Sequence, residues 1–239
     1  MKQRTLSIGD PHGLRVVDLI VQHLKDYDKI IVVGDYVDSF EVDNMTIQSN
    51  LYDLIELKKR HPDKIVLLWG NHDIQYYLGY AKHGCSGYRA EMQYDLYDMF
   101  KKNKDLFQFA FQIDNYIWTH AGISIGWYEY SFSKYLKISN LEDKTLAEQL
   151  NDAFRNNFEG LFDVGHYRGG YKDVGGPLWA DRRELHNPLK NYHQIVGHSK
   201  LEDIRTVYTH NDTSITFIDV LEINKENFFR ESLLYKLNI

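Results

Sequence analysis

Five short segments of this 239-residue sequence carry acids, amides and imidazoles in positions where a chain leaves a strand. They are Gly9-Asp10-Pro11-His12-Gly13, Gly34-Asp35-Tyr36-Val37-Asp38, Gly70-Asn71-His72-Asp73, Thr119-His120-Ala121-Gly122 and Gly197-His198-Ser199. A single Gly-Asp after an apolar run is ordinarily a turn, but five such loops, each offering Asp, Asn or His, point to a shared metal site. Carboxylate, imidazole and neutral amide oxygen without thiolate suit a borderline-to-hard ion. Manganese is expected, with iron, zinc or cobalt as alternatives, and so much imidazole disfavours calcium. Asp10, His12, Asp35, Asn71, His120 and His198 suffice for two divalent metal ions if Asp35 bridges them. Paired ions roughly 3.5–4 Å apart clamp an in-line displacement at phosphorus. Two such cations with two carboxylates and a bridging hydroxide leave about +1 at the site. That local charge attracts phosphate even though the chain's net charge is −6.

The elements that must position these loops are legible around them. Gln3 to Ile8, Lys29 to Val33 and Lys64 to Trp69 are apolar runs, each halted by glycine, and read as strands buried on both faces. Val16, Val17, Ile20, Leu24 and Tyr27 recur at helical spacing, as do Ile47, Leu51, Leu54 and Ile55, with Asp43 or Asn44 as a cap and Pro62 beyond the end. A βαβαβ unit results, whose right-handed crossovers bring the carboxyl ends of parallel strands to one edge. Further on, Tyr88 to Lys102 and Thr145 to Phe162 read as helices. Leu106 to Ile113 and Tyr116 to Thr119 read as strands joined by an Asp114-Asn115 turn, and Val164 to Gly176 as a long ordered loop. His193 to Val196, Arg205 to Thr209 and Ser214 to Val220 are expected strands, with Asn211-Asp212 turning between the last two.

Composition excludes several classes. With 43% hydrophobic and 26% charged residues the chain can build a core, which rules out a disordered or collagen-like protein. One domain spanning residues 1–239 is expected. The single cysteine, Cys85, cannot form an internal disulfide and is given a structural role. Together with an N-terminus lacking a long apolar stretch, this favours a cytoplasmic protein. No run approaches the ~20 apolar residues of a membrane helix, so no membrane partner is expected. Lys plus Arg number 28 against 34 Asp plus Glu, which makes nucleic acid an unfavoured partner. Histidines outside the motifs, such as His23, His83 and His210, are expected to have packing or surface roles.

The ordered set GDPHG, GDYVD, GNHD, THAG and GHS resembles the metallophosphoesterase, or calcineurin-like, superfamily. Its pattern is closest to the phosphoprotein phosphatase branch with its small bacterial and phage-type serine/threonine phosphatases. The likeness runs from Asp10 to His198 and implies an α/β fold, a four-layer α/β/β/α sandwich of two mixed β-sheets with a dinuclear metal site at the strand ends. It implies Asp10 and His12 on the first metal, Asp35 as the bridge, and Asn71, His120 and His198 on the second. It also makes His72 the acid that protonates the leaving oxygen and Asp38 the carboxylate that orients it. The chemistry agrees, since an imidazolium held by a carboxylate keeps its proton near neutral pH.

The resemblance implies a metal-dependent hydrolase that cleaves phosphate monoesters, most like a serine/threonine protein phosphatase, by attack of a metal-bridging hydroxide. Its substrate would be a phosphoprotein or a small phosphoester. Two departures matter. Ser39-Phe40 stands where protein phosphatases place Arg-Gly, so one phosphate clamp is missing, and Arg182 or Arg183, just past Trp179, is the expected substitute. Gly197-His198-Ser199-Lys200 also lacks the second histidine of the Gly-His-x-His nucleases and phosphodiesterases. The missing clamp keeps dinucleoside tetraphosphate hydrolysis as an alternative, and a non-catalytic binding scaffold is the alternative of another class.

Overall fold

The computed structural model describes residues 2–139, 141, 143–210, 212–227 and 229–239, with the side chain of His210 excepted. Among the described residues ten strands run in the order β1 (Arg4–Ile8), β2 (Lys29–Val32), β3 (Ile65–Leu68), β4 (Phe107–Gln108), β5 (Ala110–Ile113), β6 (Tyr116–Thr119), β7 (His193–Val196), β8 (Arg205–His210), β9 (Thr213–Phe217) and β10 (Tyr235–Asn238). The helices are α1 (Val16–His23), α2 (Asn44–Arg60), α3 (Asn71–Tyr77), α4 (Tyr80–His83), α5 (Gln93–Asn103), α6 (Ile125–Trp127), α7 (Ser133–Ser139) and α8 (Leu146–Arg155). The strands form two mixed five-stranded sheets, so the expected α/β class with two mixed sheets is what the chain adopts.

The chain divides into two compact units. The first is Met1–Gln108 with Lys200–Ile204 and Ile218–Ile239, and the second is Phe109–Ser199 with Arg205–Phe217. In the first, the strand order is β10-β1-β2-β3-β4, parallel except for β10. Ile8 pairs with Val32 and Val32 with Leu67, so the three carboxyl ends lie level and the loops at Asp10, Asp35 and Asn71 leave from one edge. Ile30, Ile31, Val32 and all of β3 are buried, as their unbroken apolar runs require. α2 starts where Asp43 caps it, its carboxylate accepting from the Thr46 N–H at 3.0 Å.

In the second unit the order is β5-β6-β7-β9-β8, with β6, β7 and β9 parallel. Trp118 pairs with Ile195, which brings the ends of β6 and β7, and hence His120 and His198, to one edge. The expected hairpin between β5 and β6 forms, with Asp114 at φ 49°.

Several boundaries differ from expectation. The run Leu106 to Ile113 is not one strand: β4 belongs to the first sheet and β5 to the second. At the break the Asn151 side chain takes the place of a neighbouring strand. Its Oδ1 accepts from the Phe109 and Ala110 N–H groups at 2.7 and 3.2 Å, and its amide donates to the Ala110 carbonyl at 2.8 Å. The helix expected to reach Phe162 stops at Arg155, because Asn157 turns left-handed at φ 54°. The strand expected from Ser214 to Val220 ends at Phe217. Periodicity did not announce β10, whose faces alternate between half-buried and exposed, nor the helix that begins within the Gly70-Asn71-His72-Asp73 segment. Asn211, half of the expected Asn211-Asp212 turn, lies outside the described residues.

Candidate active site

In the first unit the site begins with a close backbone approach. A Cβ on Gly70 would lie 2.2 Å from the Asp35 nitrogen, so no larger residue fits there. The loops are then tied by Asp73, fully buried, whose carboxylate accepts from the N–H groups of Gly70 (2.9 Å), Asp35 (2.9 Å) and Tyr36 (3.0 Å). Burial, aided by the nearby Asp35, holds the Asp73 pKa well above the usual carboxylate value despite those bonds.

His12, Asp35 and Asp38 all sit at positive φ, at 43°, 56° and 62°. Such conformations cost about 1–3 kcal/mol each and persist where the surroundings over-determine them, typically at functional sites. The His12 ring is turned so that Nδ1 donates to the carbonyls of Asp38 (2.8 Å) and Val37 (3.2 Å). Carbonyls only accept, so Nδ1 carries the proton and Nε2 presents its lone pair. That lone pair faces Asp35 Oδ2 at 3.8 Å, while Asp35 Oδ1 accepts from the His72 N–H at 3.0 Å. Burial lowers the His12 pKa, against the pull of Asp35, which keeps the ring neutral and fit to ligate.

His72 is tuned the other way, although its ring lies edge-on to that of His12 at 5.0 Å. Its Nδ1–H donates to Asp38 Oδ2 at 3.0 Å. Burial alone would lower the His72 pKa, but the Asp35 charge and the Asp38 hydrogen bond outweigh it and raise the value well above normal. Asp38 is buried and also accepts from the Tyr76 hydroxyl (2.5 Å) and the Gln75 amide. Two neighbouring imidazoles pushed apart in pKa, one neutral and one charged, is the usual division between ligand and acid.

In the second unit the Gly197 N–H donates to the His120 carbonyl at 2.8 Å and joins the two loops. His120 Nε2 and His198 Nδ1 stand 3.2 Å apart, a separation natural for two ligands of one ion with bonds of about 2.1 Å. His198 is a further residue at positive φ, 63°. Its carbonyl accepts from Arg168 Nη2 at 3.2 Å, and the same nitrogen donates to Ser199 Oγ at 3.0 Å. Arg168 Nε pairs with Asp181 Oδ2 at 2.9 Å, and Arg183 Nε donates to Asp181 Oδ1 at 2.7 Å. Burial would raise the Asp181 pKa, but its hydrogen bonds to Arg183 and the Arg168 charge lower it.

The donor set fits divalent metal: neutral imidazole beside carboxylate in one unit, paired imidazoles in the other. The ligand atoms of His12, Asp35 and His72 all lie within 4.8 Å of one another. Asp10 and Asn71 are buried on the same strand edge. Of the two expected anion clamps, Arg183 is engaged with Asp181 and stacks on Tyr167, its guanidinium carbon 4.2 Å from the ring centre, and Arg182 is exposed. Ser39 is buried, its hydroxyl accepting from the Glu41 and Val42 N–H groups, and Arg89 donates to its carbonyl.

Sequence reasoning passed over Gln75, Tyr76, Arg168 and Glu222. The first two lie three and four residues after His72 on α3, a signal available only once Asn71 is seen to open a helix. Arg168 sits in the loop Val164 to Gly176, which is ordered as expected: Gly165 bridges Lys172, and Gly169 turns at φ 81°. Cys85 also lies closer than foreseen, its thiol 4.0 Å from the Asn71 carbonyl.

A sequence model of the family described as calcineurin-like phosphoesterase matches residues 3–199. No curated protein matches the chain by sequence. Among solved structures, the cold-active protein-tyrosine phosphatase of a psychrophilic Shewanella species is similar at TM-score 0.56 and 16% identity, over 98% of this chain and 75% of that one. A point mutant of a cold-active protein tyrosine phosphatase is similar at TM-score 0.54, with the same identity and coverage. At this identity the likeness is one of fold. A serine/threonine phosphatase from Saccharomyces cerevisiae, with similarity to human phosphatase PP5, reaches TM-score 0.37 at 15% identity over 93% of this chain and 58% of its own, too low to weigh.

Proposed function

This chain belongs to the calcineurin-like phosphoesterase family, and on that premise we propose that it is a phosphatase acting on phosphate monoesters of the serine/threonine type. Asp10, His12 and Asp35, with Asn71, His120 and His198, would hold two divalent ions, manganese first among the candidates. When bound, the ions would activate water for attack and neutralise phosphoryl charge. The chain's own contribution is the leaving-group proton. His72 would supply it, with Asp38 fixing the ring and holding its charge once cations offset Asp35.

The observation that carries this reading is the His72–Asp38 contact at 3.0 Å beside a neutral His12 that presents Nε2 to Asp35. An acid held ready next to a metal-ligating imidazole has a clear use in expelling an alkoxide and little use in a passive scaffold. Arg182 and Arg183 are the proposed phosphate contacts.

The purified protein with manganese should hydrolyse an aryl phosphate, and phosphoserine or phosphothreonine peptides should outrun diadenosine tetraphosphate. A phosphotyrosine peptide belongs in the panel because the similar Shewanella structure is titled a protein-tyrosine phosphatase. Activity that survives both Asp35→Ala and His72→Ala would overturn the reading. The buried Ser39, which offers no cation, keeps the dinucleotide as the second reading, and a wide preference for it would reverse the order.

A further inference from the structure

Beyond the six proposed ligands, one acidic side chain addresses the His12 lone pair. Glu222 lies in the chain after β9, in the first unit, and its Oε2 is 3.9 Å from His12 Nε2, matching the 3.8 Å of Asp35 Oδ2. That oxygen is shut off from solvent, although the side chain as a whole is 25% exposed. Lys200 pairs with the same oxygen. His12 Nε2 cannot donate to either carboxylate, because its ring proton is committed to the backbone carbonyls of Asp38 and Val37. Two carboxylate oxygens therefore face the His12 lone pair, each just under 4 Å away with no proton between, an arrangement that calls for a cation, and beside the Glu222 oxygen the cation at hand is the Lys200 ammonium.

We propose that Glu222 is a seventh determinant of metal binding, acting on the ion held by His12, and that Lys200 is its counter-ion in the metal-free protein. The inference rests on the metal-dependent reading above. A carboxylate about 4 Å from the ligating nitrogen lowers the cost of placing a divalent charge there. The ammonium on the same oxygen opposes that charge and competes for the carboxylate. The two residues should therefore shift metal affinity in opposite directions, which a merely structural ion pair would not do.

The test is manganese binding to the full chain stripped with a chelator, read from the free-ion signal in electron paramagnetic resonance, without substrate. Glu222→Gln should weaken one of the two manganese sites by roughly 10–100-fold, as losses around metal ligands typically do. Lys200→Met should tighten the same site several-fold, and Glu222→Asp should restore part of the loss. Circular dichroism and a thermal melt would establish that each variant is folded. Should Glu222→Gln unfold the protein, the direction of the Lys200→Met effect decides alone. Wild-type protein that binds no manganese would sink the metal-dependent reading itself. Two intact sites in Glu222→Gln, or weaker binding in Lys200→Met, would overturn only the role given to Glu222.

Discussion

Asp38→Asn separates charge from shape at the acid pair. In the native structure, His72 Nδ1 and the Gln75 amide both address Oδ2, whereas Oδ1 meets only the Tyr76 hydroxyl. An asparagine can therefore keep its carbonyl toward His72 and Gln75 and turn its amide to Tyr76, whose hydroxyl can accept as well as donate. The fold should survive with a lowered melting temperature, because the buried Tyr76 hydroxyl already accepts from the Arg89 N–H at 2.9 Å and its own proton loses its acceptor, a cost of about 1–3 kcal/mol. What disappears is the negative charge on the imidazolium. Hydrogen bonds to charged partners contribute about 1.5–3 kcal/mol against ~1 for neutral ones, so the imidazolium loses about 0.5–2 kcal/mol of support.

That loss corresponds to roughly 2- to 30-fold in the step that protonates the leaving oxygen. His72→Ala, which removes the acid, should cost about 10²–10⁴. The assay is kcat with two monoesters, an activated aryl phosphate and an alkyl phosphate such as a phosphoserine peptide. The aryl leaving group departs as a stable anion and needs little help, so both variants should lose far more on the alkyl ester. Equal losses on the two esters, or an unimpaired alkyl reaction in either variant, would refute the assignment of His72 as acid.

Other expectations concern stability and binding. Asp73→Asn cannot satisfy three backbone donors with one carbonyl and places an amide against N–H groups, so urea denaturation should show a loss of about 2–4 kcal/mol. Manganese at a free concentration a hundred times Kd should stabilise the metal-free protein by about 2.7 kcal/mol per site, seen as a raised melting temperature that chelator reverses. Arg168→Ala removes the bond to the His198 carbonyl and one of the two arginines paired with Asp181, so manganese affinity should fall roughly 10–100-fold. Arg182→Ala should raise KM for phosphopeptide without altering the melt, since the side chain is exposed. An unchanged KM would remove it from the substrate contacts.

β2 and β3 of the first sheet were legible because a nearly unbroken apolar run of five or so residues that ends in glycine is too short for a buried helix and suits a strand covered on both faces. Their level register with β1 follows from parallel pairing, so one edge for Asp10, Asp35 and Asn71 was foreseeable. The division of Leu106 to Ile113 between two sheets was not, because it depends on Asn151, more than forty residues away in the chain, supplying the bonds of a missing strand. Nor could periodicity show that Asn71 opens α3. A seven-residue helix is too short for a pattern, and its Asp73 serves the neighbouring loop as much as its own cap.

Residue types and their order along the chain determined the ligand chemistry, since acids, amide and imidazoles carry their affinities wherever they are placed. Folding decided how each group is used. Two histidines alike in sequence diverge in pKa, His12 pushed down by burial while backbone carbonyls fix its tautomer, and His72 raised against burial by the Asp35 charge and the Asp38 hydrogen bond. It also decided that Glu222 and Arg168, silent in the sequence, stand against the ligating loops. Protonation and affinity depend on burial and on charges a few ångströms away, and those distances exist only once remote segments have packed.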